Sequence, residues 1–324
     1  NWKKMNFDQK KIKMYSTIGP RASLGLFMLD LVKENPDLIL LTSDVSTSAG
    51  LDRFRKSFPD NYIDVGIAEQ NLISVASGLS SEGFKTVTTT FAPFQTMRCC
   101  EQIKVNSSYM KIKNCMIGIA SGLVLGNLGY THCCIEDLSI IRSLPNITVI
   151  SPSDSLETVK AIEAAINHNT STYIRVTGTS NNPIIYNEDF NFQLGKNILM
   201  NEGDDVCIFA TGAILKEAID AAKILEEEKI STKVVNVHTI KPINSKEIIE
   251  EAKNMKLIFS LEEHNIYGGL GSAISEVLTD NGLSSKLVRL GINDKYDKGG
   301  EYKFLKEKNG LTSNKIVQKI KELY

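Results

Sequence analysis

Five side chains in this sequence are suited to acid–base chemistry, ring stacking or anion binding: Glu69, Phe91, Phe94, His132 and Arg175. Glu69 falls in the first turn of a predicted helix, where an acid also simply complements the helix dipole. Phe91 and Phe94 are three residues apart, which suits core packing as well as a binding wall. His132 alone favours a hydrogen-bonded structural histidine, and Arg175 suits either an ion pair or an anion clamp. Spacing alone therefore leaves a structural interpretation open for each of them.

Polar clusters follow the predicted strands, which is where ligands bind in open α/β sheets. The clusters occupy residues 42–48, 64–71, 90–94, 126–132 and 173–175. Each of the five side chains belongs to one of these clusters, so the clusters are candidates for a site.

Short apolar or β-branched runs alternate with segments whose apolar residues recur at helical spacing. The predicted strands are 38–41, 86–90, 116–120, 146–150, 172–176, 206–210, 233–237, 257–261 and 286–290. The predicted helices are 68–79, 94–107, 155–167, 215–228, 245–253, 270–279 and 314–323. This alternation predicts an α/β fold with mainly parallel sheets.

A turn-rich stretch interrupts the alternation near residues 178–189. We therefore expect two consecutive α/β domains, 15–180 and 197–324, joined by a linker at 181–196. Residues 1–14 are polar and lysine-rich, and we interpret them as a tag remnant or a disordered arm.

Composition excludes several classes of partner and location. A net charge of -1 gives no electrostatic case for binding nucleic acid or an anionic membrane. No apolar run approaches the roughly 20 residues that span a bilayer. The six cysteines form no C-x-x-C pair, and their sparse use suggests reduced thiols in a cytoplasmic protein.

Taken in order, the motifs are similar to those of transketolases. Residues 62–94, which contain GIAEQ and end in FAPF, resemble the transketolase pyrimidine-binding domain, and 131–154 and 173–178 continue the match. The segments GDDVCIFATG, NVHTIKPIN and EEHNIYGGLGSAISEVL resemble the transketolase C-terminal domain. The resemblance covers about residues 16 to 322 and implies a thiamine-diphosphate-dependent transferase.

Transketolases hold the cofactor diphosphate and a divalent metal on an additional N-terminal domain, whose Gly-Asp-Gly motif is absent from this sequence. The resemblance therefore implies the second subunit of a split transketolase. We expect an N-terminal, diphosphate-binding partner subunit in an α2β2 assembly, with Mg²⁺ or Ca²⁺ held mainly by that partner and no metal ligands here.

The resemblance also assigns cofactor-binding residues. Glu69 matches the glutamate that hydrogen-bonds the aminopyrimidine ring nitrogen. This role needs a protonated or proton-sharing carboxyl in apolar surroundings, which Ile67 and the aromatic pair would supply. Phe91 and Phe94 match the wall on which the ring rests. Met97 stands where the family often has a third aromatic residue.

Four residues complete the site that the resemblance implies. Asp44 matches an aspartate near the cofactor. His132 matches a catalytic histidine that contacts substrate carbonyl and hydroxyl oxygens. Arg175 and Ser48 match an arginine and a serine that bind the sugar phosphate.

Three residues depart from the family pattern. Ala120 replaces a substrate-binding histidine, and Asn127 and Leu128 replace a Glu-Asp pair whose aspartate recognises a sugar hydroxyl. A site without that polar partner should not discriminate for the hydroxyl. We therefore expect a non-standard acceptor, such as a deoxy sugar, a nucleotide-linked keto sugar or a small aldehyde.

Other functions stay open on these motifs. The same architecture serves 1-deoxyxylulose-phosphate synthases and the β subunits of 2-oxo-acid dehydrogenases, which differ in the donor they use. A non-catalytic scaffold paralogue is the third alternative, because a fold does not by itself guarantee an activity.

Overall fold

The strands form where aliphatic and β-branched residues run together. A computed structural model of the protein describes residues 5, 7–178 and 182–324. Its strands are β1 Leu38–Thr42, β2 Tyr62–Asp64, β3 Lys85–Phe91, β4 Cys115–Ser121, β5 Ile147–Ile150, β6 Ser171–Thr177, β7 Ile198–Asn201, β8 Val206–Ala210, β9 Thr232–Asn236, β10 Thr239–Lys241, β11 Leu257–Asn265 and β12 Leu287–Ile292.

The strands form two sheets, as the α/β prediction requires. The first has seven strands in the order β10-β5-β6-β4-β3-β1-β2, and the second has five in the order β12-β11-β8-β9-β7. Pairing is parallel except where β10 joins β5 and β7 joins β9. The expected fold of two consecutive, mainly parallel α/β units is confirmed.

Helices cover both faces of each sheet. They are α1 Gln9–Thr17, α2 Pro20–Glu34, α3 Asp52–Ser57, α4 Glu69–Ser81, α5 Ala92–Gln95, α6 Cys100–Gln102, α7 Asp137–Ser143, α8 Ser155–Asn167, α9 Leu215–Glu227, α10 Ser245–Ala252, α11 Leu270–Asp280, α12 Tyr302–Lys308 and α13 Ser313–Lys321. Short 3-10 turns occupy Pro59–Asn61, Gly126–Leu128 and Gly212–Ile214, and a π-helix spans Ile103–Tyr109. No helix among the described residues is long and apolar enough to cross a membrane.

Alternate residues of a strand face opposite cores, because side chains point to opposite sides of a sheet in turn. In β1, Leu38 and Leu40 face the core under α1, α2 and α8, whereas Ile39 and Leu41 pack against α4. Burial on both faces explains why β1 is apolar at nearly every position.

The prediction of an arm at residues 1–14 is wrong for its second half. Asp8 caps α1 by accepting a hydrogen bond from the backbone N–H of Lys11 at 2.8 Å. Ile12 and Tyr15 are buried in the first core, which fixes the helix. Residues 1–4 and 6 lie outside the described part of the chain.

The single helix predicted at 94–107 is broken. Helix α5 ends at Gln95, α6 is one turn long, and the π-helix follows. Thr96 ends α5 with a hydroxyl bond to the carbonyl of Ala92 at 2.7 Å, a pattern that bends or ends helices. The break places residues 96–99 in a turn that projects beside the N-terminus of α4.

The described part of the predicted linker, 182–196, contains no helix or strand. Its aromatic residues nevertheless pack on the first core, with the Tyr186 and Phe190 rings stacked 4.0 Å apart. Strand β10 crosses the predicted boundary by joining the first sheet from the second unit. The predicted domain limits stay a prediction.

Candidate active site

Glu69 begins helix α4, whose buried face includes Leu72, Ile73 and Ala76. That face lies on β1 and neighbouring elements, so the first turn of the helix is held at the carboxyl edge of the sheet. The Glu69 side chain is only 6% exposed although the residues flanking it are accessible. A buried carboxylate needs a partner, and Glu69 has one.

Arg98 is that partner, and the sequence patterns did not point to it. Its Nη1 donates to Glu69 Oε1 at 2.6 Å. The same guanidinium lies 4.0 Å from the centroid of the Phe94 ring, a cation–π contact. The spacing of four residues between Phe94 and Arg98 was the one sequence signal for their contact. The prediction of a continuous helix over 94–107 missed the turn that directs Arg98 toward Glu69.

Two aromatic rings and an imidazole meet beside this pair. Phe91 ends β3 and Phe94 lies in α5, with their centroids 6.3 Å apart and their planes at 82°. The His132 ring is 5.4 Å from Phe94 and 6.3 Å from Phe91, edge-on to both. The fold therefore brings Glu69, Phe91, Phe94 and His132 into one cluster, although 63 residues separate Glu69 from His132.

His132 lies half-buried near the end of the segment 122–134. Its Nδ1 is 3.0 Å from the hydroxyl of Thr131, so Nε2 is the nitrogen left to face a ligand. An imidazole held beside two aromatic rings can donate to or accept from a polar group of a bound molecule.

Asp64 joins the loops that carry Asp44 and Glu69. Its Oδ1 accepts from the backbone N–H groups of Asp44 and Gly66, both at 2.9 Å. Its Oδ2 accepts from the hydroxyls of Thr42 and Tyr62. Burial acts to raise the pKa of Asp64, but these hydrogen bonds outweigh it and hold the pKa below its usual value.

Asp44 itself is exposed and has a left-handed backbone, with φ of 55°. Ser48 is half-buried, and its carbonyl accepts a bond from Arg21 Nη1 at 3.1 Å. Arg21 therefore brings a guanidinium to the predicted phosphate serine. No sequence motif pointed to this residue either.

Ile67 and Met97 do not close over Glu69. Ile67 is 78% exposed and Met97 is 39% exposed. In this chain by itself Arg98 contacts the Glu69 carboxylate, and the role of Ile67 in providing apolar surroundings stays a prediction.

The prediction that Arg175 grips a sugar phosphate is contradicted. Arg175 is 1% exposed, and its Nε pairs with both carboxylate oxygens of Asp137 at 3.0 and 2.9 Å. Nη1 donates to Thr177, and Nη2 donates to the carbonyls of Cys134 and Glu263. A buried guanidinium must be paired in this way, and every nitrogen is engaged within the protein.

Family models match both halves of the chain. The model of the transketolase pyrimidine binding domain matches residues 16–181, and that of the transketolase C-terminal domain matches residues 195–316. The chain belongs to the transketolase family. Transketolases are transferases and use thiamine diphosphate, so the chain is assigned to an enzyme family with that cofactor.

Three transketolase subunits illustrate the similarity. One of the subunits of the apulose-4-phosphate transketolase of Actinobacillus succinogenes is 36% identical over 89% of this chain and 93% of its own length. A 6-deoxy-6-sulfo-D-fructose transketolase subunit of Clostridium sp. strain MSTE9 is 34% identical, covering 91% of each chain. A solved structure described as a split gene transketolase, inactive beta4 tetramer, is 35% identical over 94% of this chain and 97% of its own, with a TM-score of 0.84. These relatives are subunits of split transketolases, as the resemblance implied.

The side chains fit one end of the cofactor. A buried carboxylate beside two aromatic rings suits a flat, hydrogen-bonding heterocycle such as the aminopyrimidine. In the part of the chain that the structure describes, no group of three or more His, Cys, Asp or Glu side chains is arranged to hold a metal.

Proposed function

We propose that this chain is the C-terminal subunit of a two-chain transketolase that transfers a two-carbon unit from a ketose, a ketose phosphate or a keto acid to an aldehyde or keto-sugar acceptor. The observation that carries the proposal is the cluster of Glu69, Phe91, Phe94 and His132. When bound, thiamine diphosphate supplies the electron sink for breaking and forming the carbon–carbon bond.

In this proposal the Glu69 carboxyl hydrogen-bonds the aminopyrimidine ring nitrogen and shares a proton with it. Arg98 fixes Oε1, so Oε2 is the oxygen that would meet the ring. Phe91 and Phe94 supply the stacking wall, and Asp64 holds the loop that precedes Glu69. Met97 and Ile67 lie exposed at the mouth of the cluster, where a partner subunit would cover them.

His132 would face the substrate through Nε2 and exchange a proton with its carbonyl or hydroxyl oxygen. Ser48 and Arg21 form the candidate phosphate site in place of Arg175, because Arg21 is only half-buried. In the sequence, Asp44 lies between Arg21 and Ser48.

The acceptor is proposed to lack the hydroxyl that ordinary pentose phosphates present. Leu128 and Ala120 have apolar side chains, so neither can hydrogen-bond a sugar hydroxyl; Leu128 is 58% exposed and Ala120 is buried. The relatives named for apulose-4-phosphate and 6-deoxy-6-sulfo-D-fructose are transketolases named for ketoses, which supports a substrate outside the ordinary pentose phosphates but does not bear on the acceptor. Ribose 5-phosphate as the best acceptor in a kinetic screen would contradict it.

The partner is proposed to be an N-terminal transketolase subunit that holds the diphosphate and Mg²⁺ or Ca²⁺, in an α2β2 assembly. The relatives named as separate transketolase subunits support this division. The free cysteines suit a cytoplasmic location, which is proposed on that ground alone.

Calorimetric titration of thiamine diphosphate and magnesium, with and without the co-purifying partner, tests the proposal. Binding only by the pair, with no turnover in the Glu69→Ala variant, is the expected result. Tight binding by the isolated chain would refute the divided site. No binding by a verified pair would favour a scaffold. Comparing a ketose with pyruvate as the donor substrate distinguishes a transketolase from a 1-deoxyxylulose-phosphate synthase or the β subunit of a 2-oxo-acid dehydrogenase.

A further inference from the structure

The segment that carries His132 is held from the C-terminal unit. We call residues 122–134 the substrate loop. The backbone N–H of Leu123 donates to Glu263 Oε1 at 2.7 Å, and the hydroxyl of Tyr302 donates to Glu263 Oε2 at 2.6 Å. Glu263 lies on β11, 140 residues from Leu123, and is 1% exposed. A buried carboxylate thus ties one end of the loop to a different domain.

Gly122 shows how closely Glu263 approaches. A Cβ atom at Gly122 would lie 2.3 Å from Glu263 Oε1, and φ of 69° places this residue in the left-handed region. Gly122 also forms a bridge with Cys134, through bonds of 2.8 and 2.9 Å. The contact with Glu263 therefore acts on both ends of the substrate loop.

Further contacts hold the middle of the loop and the residues that follow it. The backbone N–H of Gly300 donates to the carbonyl of Gly126 at 2.9 Å. The rings of Tyr130 and Tyr296 lie 5.1 Å apart, and the Tyr296 hydroxyl donates to Glu136 at 2.8 Å. The loop therefore follows the C-terminal unit along most of its length.

We propose that Glu263 is a positioning residue for acceptor recognition, which sets His132 and Leu128 through the substrate loop without contacting substrate. This inference rests on the proposed function. Both of its carboxylate oxygens are occupied within the protein, so it has no direct chemical role. Placing a reacting group within about 1 Å of its productive position can be worth roughly 100-fold in rate.

The test uses the full two-chain enzyme with Glu263→Ala. We expect kcat/KM for the acceptor to fall about 10- to 100-fold, while exchange of the cofactor C2 proton, which depends on Glu69, stays within about twofold. Glu263→Gln should restore most of the acceptor kinetics, since its oxygen can accept from Leu123 and its amide can donate to Tyr302. Unchanged acceptor kinetics, or a parallel loss of exchange and transfer, would overturn the inference.

Two further variants guard against misfolding. Tyr302→Phe removes one donor to Glu263 and keeps the ring, and it should give a smaller loss of the same kind. Glu262→Ala is the matched control, because Glu262 is the adjacent buried glutamate but accepts from Leu270 and Gly271. It should lower stability without changing the acceptor KM. An equal KM effect in this control would contradict a specific role for Glu263.

Hydrogen exchange separates this inference from the proposed function. In Glu263→Ala, amides of residues 123–134 should exchange at least about tenfold faster, with β1 and β3 unchanged, whether or not the enzyme is active. No transfer by the wild-type pair would defeat the proposed function alone. Unchanged protection of the loop would defeat the inference alone.

Discussion

Arg98 Nη1 lies 2.6 Å from Glu69 Oε1, and the same guanidinium is 4.0 Å from the centroid of Phe94. One cation therefore touches both the predicted catalytic carboxylate and the predicted stacking ring. A flat ring that binds on the face of Phe94 covered by Arg98 must share that face with the guanidinium or displace the guanidinium. The Arg98 side chain is 44% exposed, so it is free to move when a ligand binds.

Replacing Arg98 with Gln should slow exchange of the cofactor C2 proton by about tenfold in the assembled enzyme. The charge-assisted bond that orients Glu69 would be lost, and such bonds are roughly twice as strong as neutral ones. NMR of the exchange measures this step without an acceptor. The same substitution at the exposed Arg53 is the control. An unchanged exchange rate would show that Arg98 does not orient Glu69.

Arg175 should affect stability rather than phosphate recognition. Arg175→Met leaves Asp137 buried without its cation, which typically costs about 3–5 kcal/mol. Denaturant unfolding measures this loss, and the double variant Arg175→Met with Asp137→Leu should recover part of it. A selective rise in KM for phosphorylated substrates, with stability intact, would restore the phosphate-binding role of Arg175.

These two arginines show what sequence could and could not predict. Strands such as β1 and β8 were predictable because their apolar runs have few other uses. Glu69 and the aromatic pair were predictable because they belong to one local motif series. The direction of Arg175 depends on Asp137, which lies 38 residues away, and that of Arg98 depends on a break inside an expected helix. A contact between distant segments therefore decides the direction of Arg175, whereas a local break that the helical spacing did not reveal decides the direction of Arg98.

Leu128 should control which acceptors are used. Leu128→Asp supplies a hydrogen-bond acceptor at an exposed loop position. It should raise kcat/KM for hydroxylated aldehydes, relative to their deoxy analogues, by about 10- to 100-fold. Leu128→Ala is the control, because it removes the apolar side chain without adding a polar group. An equal change in both variants would mean that size, rather than hydroxyl recognition, sets the preference.

Glu157 should make stability fall as pH rises toward 8. Burial, the largest cause, raises the pKa of Glu157 from 4.5 to about 8, although bonds from Ser153 and Asn236 act against it. Asn236 Oδ1 has no hydrogen-bond partner among the described residues. Turning this amide over would place Oδ1 against Glu157 and Tyr186, where a protonated Glu157 can donate to it. The local geometry is therefore compatible with a protonated carboxyl.

The sign of the effect follows from the direction of that shift. Between pH 4.5 and about 8 the folded protein keeps a proton on Glu157 that the unfolded chain has released, so the free energy of unfolding falls as pH rises through this window. Glu157→Gln has no proton to lose. Its stability relative to wild type should therefore improve by up to about 1.4 kcal/mol for each pH unit within the window. Glu262, whose pKa burial raises to about 7, acts in the same direction but is common to both proteins and cancels in the difference. Urea unfolding of both proteins at pH 5 and pH 8 measures that difference. A constant difference would mean that Glu157 is ionised in the folded protein at both pH values.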